Sequence, residues 1–361
     1  MPLCDLALDC VTQLQPYVPG KPIDELEREL GIRNIVKLAS NENPLGPSSN
    51  VLTAINEASK DISRYPDGNG FSLKHALANK HNLNLAKITL GNGSNDVLEL
   101  IARAFVSPDD EVMFSQYAFA VYPLVTQAIG ANAVVVPADD YGHDLQAMLS
   151  LVTDKTKLIF IANPNNPTGT YLNARPLQDF IAQVPAETLI VLDEAYVEYG
   201  DNDTDSLAWL EQYPNLIITR TFSKAYGLAG LRVGYAISHP EIADLINRVR
   251  QPFNVNSLAL SAAVAALQDD DYIVKTKRLN DEGMQQLIAG FDALSLEYIP
   301  SQANFITVNV KQSGDVIFTK LLHQGVIVRP VTNYNLPNHI RVSIGLTAEN
   351  QRFLEALGQV L

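Results

Sequence analysis

Three stretches of this chain place reactive side chains directly after apolar runs. Leu158–Ala162 leads into Asn163-Pro-Asn-Asn166-Pro-Thr-Gly, Thr188–Leu192 into Asp193-Glu-Ala-Tyr196, and Leu216–Thr219 into Arg220-Thr-Phe-Ser223-Lys224. In open α/β sheets ligands bind just beyond the carboxyl ends of the strands. The three stretches are therefore expected to deliver Asn166, Asp193, Tyr196, Ser223 and Lys224 to one crevice. A lysine amine partly desolvated there loses its proton more readily and can then form a Schiff base with an aldehyde. Most lysines are instead solvated surface groups. The run Thr-Phe-Ser-Lys-Ala-Tyr-Gly-Leu-Ala-Gly-Leu-Arg-Val-Gly around Lys224 argues against that bland alternative.

The neighbours of Lys224 carry their own chemistry. A hydroxyl and a guanidinium, Ser223 and Arg232, can hold a phosphate, although a surface salt bridge is the plainer use of Arg232. Asp193 ends an apolar run, and a buried carboxylate needs a cationic partner. Capping the next helix is its alternative use. Asn166 and Tyr196 are hydrogen-bonding groups for whatever ligand lies between them. The turn Gly91-Asn-Gly-Ser94-Asn95-Asp96 precedes an amphipathic helix, with Ser94 as its expected cap. Free backbone N–H groups at such a helix start bind phosphate. The same turn resembles part of a dinucleotide fingerprint, so a nicotinamide enzyme is a rival reading. The third glycine is replaced by Asp96, and no acidic residue ends a second strand at the usual distance. The residues alone thus point to a phosphate-bearing cofactor held near a lysine.

The elements that must position these groups follow from the apolar pattern. Ile88–Leu90, Glu111–Phe114, Ala133–Val136, Leu158–Ile161, Thr188–Leu192 and Leu216–Thr219 read as strands. Several are continuous Val/Ile/Leu runs, as in strands buried on both faces. Helical segments such as Ser94–Val106 and Pro176–Gln183 alternate with them, which predicts an α/β domain with a mainly parallel sheet. The pattern changes near residue 255. A helical stretch over 256–293, strand-like runs Phe305–Val310, Val326–Val328 and Ile340–Ile344, and a closing helix from about Glu349 predict a smaller α+β lobe. Residues 13–22 are proline-rich and read as an extended arm, followed by a helix over Ile23–Leu30.

Composition narrows the function classes. The 361 residues, 47% of them hydrophobic and 18% charged, suit an ordinary globular protein of two lobes. A net charge of -14 disfavours nucleic acid as a partner. Anionic small molecules remain accessible if arginines or helix N-termini are placed locally. The two cysteines, Cys4 and Cys10, provide neither a disulfide framework nor a metal-knuckle spacing, which fits a reducing cytoplasm. No secretory signal is read at the N-terminus, and no apolar run approaches membrane-spanning length. The six histidines show no metal spacing, so no metal is expected.

The NPNNPTG loop, the VLDEAY segment and the TFSKAYGLAGLRVGY segment together resemble class II aminotransferases of pyridoxal 5'-phosphate (PLP) fold type I. More narrowly, the chain resembles the histidinol-phosphate aminotransferases over nearly its whole length. Pro16-Tyr17-Val-Pro-Gly20, Asn41-Glu-Asn-Pro44, Arg64-Tyr65-Pro-Asp-Gly68 and Gly91-Asn-Gly-Ser94 add to the match. The resemblance implies an arm over 1–30 packed with the small domain, a large PLP-binding domain over 31–255 and a small domain over 256–361. It implies that Lys224 forms the Schiff base and carries the substrate's α-proton, that Asp193 pairs with the pyridine nitrogen, and that Asn166 and Tyr196 contact the ring oxygen. Ser94, Asn95, Ser223 and Arg232 would hold the phosphate. Tyr65 would reach that phosphate from a neighbouring subunit, which makes the protein a homodimer with shared sites. Phe119 stands where the family often has a ring-stacking tyrosine, and Asn95 where an acidic residue is frequent.

The family binds substrate through arginines of its small lobe. Strand alternation turns Arg341 away from the face carrying Ile340, Val342 and Ile344. An arginine so placed can bind carboxylate or phosphate bidentately. An exposed edge arginine is the alternative. Arg329 and Tyr17 are further candidates for the substrate's anionic end. The implied activity exchanges an amino group between L-histidinol phosphate and 2-oxoglutarate. Rival readings are an aromatic amino acid aminotransferase, a decarboxylase acting on threonine phosphate, and a PLP-binding regulator without turnover.

Overall fold

The computed structural model describes residues 2–16, 20–200 and 205–361. A short strand, β1 (Val36–Lys37), precedes the central sheet. That sheet is built from β2 (Ile88–Gly91), β3 (Glu111–Ser115), β4 (Asn132–Val136), β5 (Thr156–Ala162), β6 (Leu189–Asp193), β7 (Leu216–Thr221) and β8 (Gly234–Ile237). Its strand order is β2-β8-β7-β6-β5-β3-β4. All neighbours are parallel except β8, which runs antiparallel to both β2 and β7. The sequence reading had found six of these strands. The strand β8 gives no separate apolar run, because its first two residues, Gly234 and Tyr235, end the glycine-rich segment that follows Lys224.

Alternation explains the continuous apolar runs within the middle strands. Ile159, Ile161, Ile190, Leu192, Leu216 and Ile218 enter the core on one face. Leu158, Phe160, Leu189, Val191 and Ile217 enter the core on the other. Helices cover both faces, so these apolar positions are all buried. Each large side chain so buried contributes about 1.5–3 kcal/mol. The same alternation continues past the ends of the strands and sorts the polar residues there.

The smaller lobe holds β9 (Tyr298–Ile299), β10 (Phe305–Asn309), β11 (Val326–Ile327), β12 (Arg329–Pro330) and β13 (His339–Ser343). Four of these form an antiparallel sheet in the order β12-β13-β10-β9. The strand β1 pairs in parallel with β11. Val36 and Leu38 enter this lobe's core beside Ile306, Val342 and Phe353. The expected large-domain start at residue 31 therefore needs correction: the chain first completes the small lobe and only then crosses to the large one.

The boundary at 255 also shifts. The stretch 256–293 forms two helices, Ser257–Leu267 and Asp270–Ala293. Ala259, Ala262, Ala263 and Ala266 of the first pack into the large-domain core. That helix, SLALSAAVAAL, is apolar on all sides, so its periodicity does not say which core it joins. The second bridges the lobes. Lys277 Nζ donates to the carbonyls of Tyr199 (3.0 Å) and Gly200 (2.7 Å) in the large domain. Farther along, Met284, Leu287 and Phe291 join the small-lobe core.

The N-terminal arm is split in the same way. Leu26, in the Ile23–Leu30 helix, packs with Ala39 and Ile327 of the small lobe. The Asp9–Thr12 turn of helix instead lies on the large-domain helix Val121–Ile129, where Cys10 Sγ approaches the carbonyl of Ala128. Packing of the whole arm with the small domain is thus corrected to packing of its second half. Among the described residues, no helix is long and apolar enough to cross a membrane.

Candidate active site

A cavity of about 330 Å³ opens at the carboxyl ends of the parallel strands, under the face of β12 and β13. Asp193 is the last residue of β6, and Ser223 and Lys224 follow β7. Asn166 follows β5, and Phe119 follows β3. All five line the cavity, together with Tyr196, Ser94, Asn95, Arg232, Arg329 and Arg341. The structure therefore brings together all the predicted site residues except two. Tyr65 lies on the surface, 83% exposed and stacked on Phe253 at 4.8 Å between ring centroids. Tyr17 lies outside the described residues.

At the cavity floor, Asp193 is buried. Its carboxylate accepts from Tyr122 Oη (2.8 Å) and Thr219 Oγ1 (2.9 Å). Burial pushes its pKa up, and those two hydroxyls pull it back. It ends a strand rather than capping a helix, so the capping alternative does not apply. Neither hydroxyl partner was anticipated. Tyr122 sits three residues beyond Phe119 at the start of a helix and carried no signal of its own.

Lys224 Nζ donates to the carbonyl of Ser40 at 3.1 Å and lies 5.7 Å from the centre of the Tyr196 ring. Burial, with Arg341 and Arg232 nearby, lowers its pKa to about 7, while Glu42 opposes the shift. A large fraction is then the free amine near neutral pH, the form that attacks carbonyls. Tyr196 is pushed up to about 12 by burial, with Arg341 and a hydrogen bond from Asn41 acting against the shift.

Another part of the cavity wall collects donors. The helix Ser94–Phe105 begins there, and its cap is Gly93 rather than Ser94, which is the first helical residue. The reason is conformational: Gly93 has φ +84°, and a Cβ there would stand 2.4 Å from Arg232 Nη2. Only glycine lets the guanidinium lie against this helix start. Arg232 donates to Ser223 Oγ at 3.1 Å, which fixes both groups at one place. A helix N-terminus, two hydroxyls and an arginine form a donor set for a phosphate dianion.

Above the cavity, Arg341 and Arg329 are directly paired across β13 and β12. Arg341 is buried. It donates to Asn166 Oδ1 (2.5 Å) and the Ala39 carbonyl (2.9 Å), with its guanidinium carbon 5.2 Å from the Phe305 ring centre. Ile340 and Val342 face the other way, into the small-lobe core. An acidic protein thus presents arginines and a lysine at a single crevice. Ser40, Asn41, Thr221 and Tyr334 also line it and were missed. Asn41 and Thr221 had a signal, the first in the Asn41-Glu-Asn-Pro44 motif and the second at the start of the TFSKAYGLAGLRVGY segment.

The model of the class I and II aminotransferases matches residues 33–357 of this sequence. The chain belongs to that family. It is 60% identical to histidinol-phosphate aminotransferase 2 of Pseudomonas fluorescens, across 99% of this chain and 97% of the relative. It is 58% identical to the protein of that name in Pseudomonas aeruginosa, covering 99% and 98%. Among solved structures, it is similar to histidinol-phosphate aminotransferase from Sinorhizobium meliloti in complex with pyridoxal-5'-phosphate. The TM-score is 0.90, with 32% identity, covering 98% of this chain and 96% of that one.

The family's cofactor can be tested against this aminotransferase's own residues. PLP needs an amine for its aldehyde, an anion for its ring nitrogen and a cationic cradle for its phosphate. Lys224 supplies the first, Asp193 the second, and Arg232 with Ser223 and the Ser94 helix start the third. A buried carboxylate whose side-chain partners are hydroxyls is the donor chemistry that a protonated ring nitrogen completes. The residues fit the group.

Proposed function

We propose that this aminotransferase interconverts L-histidinol phosphate and 2-oxoglutarate with imidazole-acetol phosphate and L-glutamate, using PLP. The observation that carries the reading is the cavity's polarity. A buried lysine whose pKa is lowered to about 7 lines one cavity with a buried carboxylate, a phosphate cradle, Arg341 and Arg329. The relatives at 58–60% identity carry the histidinol-phosphate name, which favours this substrate over the aromatic and decarboxylating alternatives.

When bound, PLP supplies an electron-withdrawing ring that stabilises negative charge at the substrate's α-carbon. Lys224 would hold its aldehyde carbon, Asp193 its ring nitrogen, Asn166 and Tyr196 its ring oxygen, and Phe119 its face. Ser94, Asn95, Ser223 and Arg232 would hold its phosphate. Lys224 Nζ would take the substrate's α-proton and return a proton, acting as general base and acid. Arg341, joined by Arg329, fixes the phosphate of one substrate and the carboxylate of the other. Tyr17 joins them through the family resemblance alone.

The protein is further proposed to be a cytoplasmic homodimer in which Tyr65 completes the partner's phosphate site. Its exposure supports this, as does that of Ile62, Phe71 and Phe253. Exposed apolar side chains, with Tyr65 stacked on Phe253, suit a subunit contact.

Absorbance of the purified protein with PLP provides the test. The wild type is expected to show a visible band that fades with L-histidinol phosphate and returns with 2-oxoglutarate. Lys224→Ala should lack the band and lose at least the 10²–10⁴-fold, roughly, that a positioned proton-transfer group contributes. A band that ignores histidinol phosphate but answers to phenylalanine would replace the substrate. Carbon dioxide release from threonine phosphate would replace the reaction.

A further inference from the structure

The hydroxyl of Tyr196 sits in a hydrogen-bond arrangement whose direction can be assigned atom by atom. Asn166 Nδ2 lies 3.3 Å from Tyr196 Oη, and Asn41 Nδ2 lies 2.9 Å from it. The orientation of Asn166 follows from its other contact. Arg341 can only donate, so the atom facing it at 2.5 Å is the amide oxygen, which turns the NH₂ group to Tyr196. The orientation of Asn41 follows in the same way. Its backbone N–H donates to Ser343 Oγ at 2.7 Å, and that hydroxyl in turn donates to Asn41 Oδ1 at 3.2 Å. The Asn41 NH₂ group is then left for Tyr196. The phenol oxygen therefore accepts from two amides, and its O–H hydrogen is directed into the cavity.

Asn41 is held firmly in this role. Its carbonyl accepts from Asn304 Nδ2 at 2.9 Å, and its φ of +54° is a conformation that Asn, Asp and Gly adopt most readily. The preceding residue, Ser40, receives Lys224. Leu38 is tied to β11 and β13 by backbone bonds. A segment fixed to the small lobe thus reaches into the large domain and touches both reactive side chains.

We propose that Asn41 is a positioning residue for the transamination chemistry: its amide makes Tyr196 an obligatory donor toward the cofactor's ring oxygen. The inference rests on the PLP reading above. A hydroxyl that accepts hydrogen bonds donates more strongly, by roughly 10–30% per bond. Losing the Asn41 amide therefore weakens the bond to the ring oxygen. An acceptor at the same place turns the Tyr196 hydrogen away from the ring altogether.

The experiment follows the pH midpoint of the cofactor's visible band in the wild type, Asn41→Gly, Asn41→Asp, Tyr196→Phe and the two double variants. Glycine and aspartate both tolerate the positive φ, so the backbone is preserved. Asn41→Gly should shift the midpoint in the same direction as Tyr196→Phe and by less, with Asn41→Asp shifting it further. In the Tyr196→Phe background, the Asn41→Gly shift should vanish, and only the direct effect of the added charge should remain for Asn41→Asp. Shifts of equal size in both backgrounds overturn the inference while leaving the cofactor reading intact. A wild type without any Lys224-dependent band overturns both.

Discussion

Two neighbouring carboxylates at the end of β6 have opposite surroundings. Asp193 faces the side of the sheet lined by Phe160 and Val191, where Tyr122 and Thr219 give it hydroxyls. Glu194 faces the other side, where Nε and Nη2 of Arg220 both lie 2.8 Å from its Oε2, and Ser206 donates to its Oε1 at 2.5 Å. The sorting is strand alternation: Thr219 and Arg220 on β7 point to opposite faces, as Asp193 and Glu194 do. Both acids are buried. One has its cation built into the fold; the other has only neutral side-chain partners. Burial is thus common to both sites, and the presence of a protein cation separates the structural acid from the one arranged for a ligand.

That contrast predicts opposite phenotypes for adjacent substitutions. Asp193→Asn should cut turnover most. If a buried charge pair with the ring nitrogen is worth about 3–5 kcal/mol, kcat/KM falls by about 10²–10⁴-fold. The same variant without PLP should melt no lower than the wild type. Because burial raises the folded-state pKa of Asp193, its contribution to stability is present at low pH and lost as pH rises through that raised value. Asp193→Asn should remove that loss, which paired thermal melts of the PLP-free proteins would show. Glu194→Ala should do the reverse. It leaves Arg220 part-buried without this carboxylate and should cost about 3–5 kcal/mol in denaturant unfolding, with kcat per folded molecule changed less than tenfold. A Glu194→Ala protein that melts normally but is inactive would break the comparison.

The substrate side should yield a smaller, selective effect. Hydrogen bonds to a charged group are worth about 1.5–3 kcal/mol. Arg341→Gln should therefore raise KM for both histidinol phosphate and 2-oxoglutarate by about 10–100-fold. L-histidinol, which has no anionic group for Arg341 to hold, should lose far less on this substitution, and steady-state kinetics on the three compounds reads the difference directly.

These distinctions were unevenly legible in the sequence. The parallel strands and the residues following them could be read because continuous apolar runs and strand-end chemistry are both local signals. Glu194 and Arg220 were visible as letters, but their pairing lies across a sheet and 26 positions apart. Asn41 reads as a loop residue; its partner Ser343 is 302 positions away, on β13 of the small lobe. The helix Ser257–Leu267 was assigned to the wrong core because an all-round apolar helix carries no facing information. Gly93 shows the converse. The glycine turn was recognised, while the reason for it, the approach of Arg232, required the fold.

The smallest effect concerns Lys224, the cation of the ligand-facing side. Its pKa is lowered to about 7 from 10.5, chiefly by burial and then by Arg341. Between those values the unfolded chain binds a proton that the folded PLP-free protein does not, so this group's contribution to stability rises with pH across the window. The same shift governs reactivity. Only the neutral amine captures an aldehyde, so the rate of PLP uptake should climb about tenfold per pH unit below 7 and level off above it. Stopped-flow absorbance on the PLP-free protein measures this. Arg341→Gln removes a nearby positive charge and should move the midpoint upward, whereas Glu194→Gln, acting on the far face of the sheet, should leave it in place. A midpoint that follows Glu194 rather than Arg341 would mean that the two faces are electrostatically one site, and the division drawn at β6 would fail.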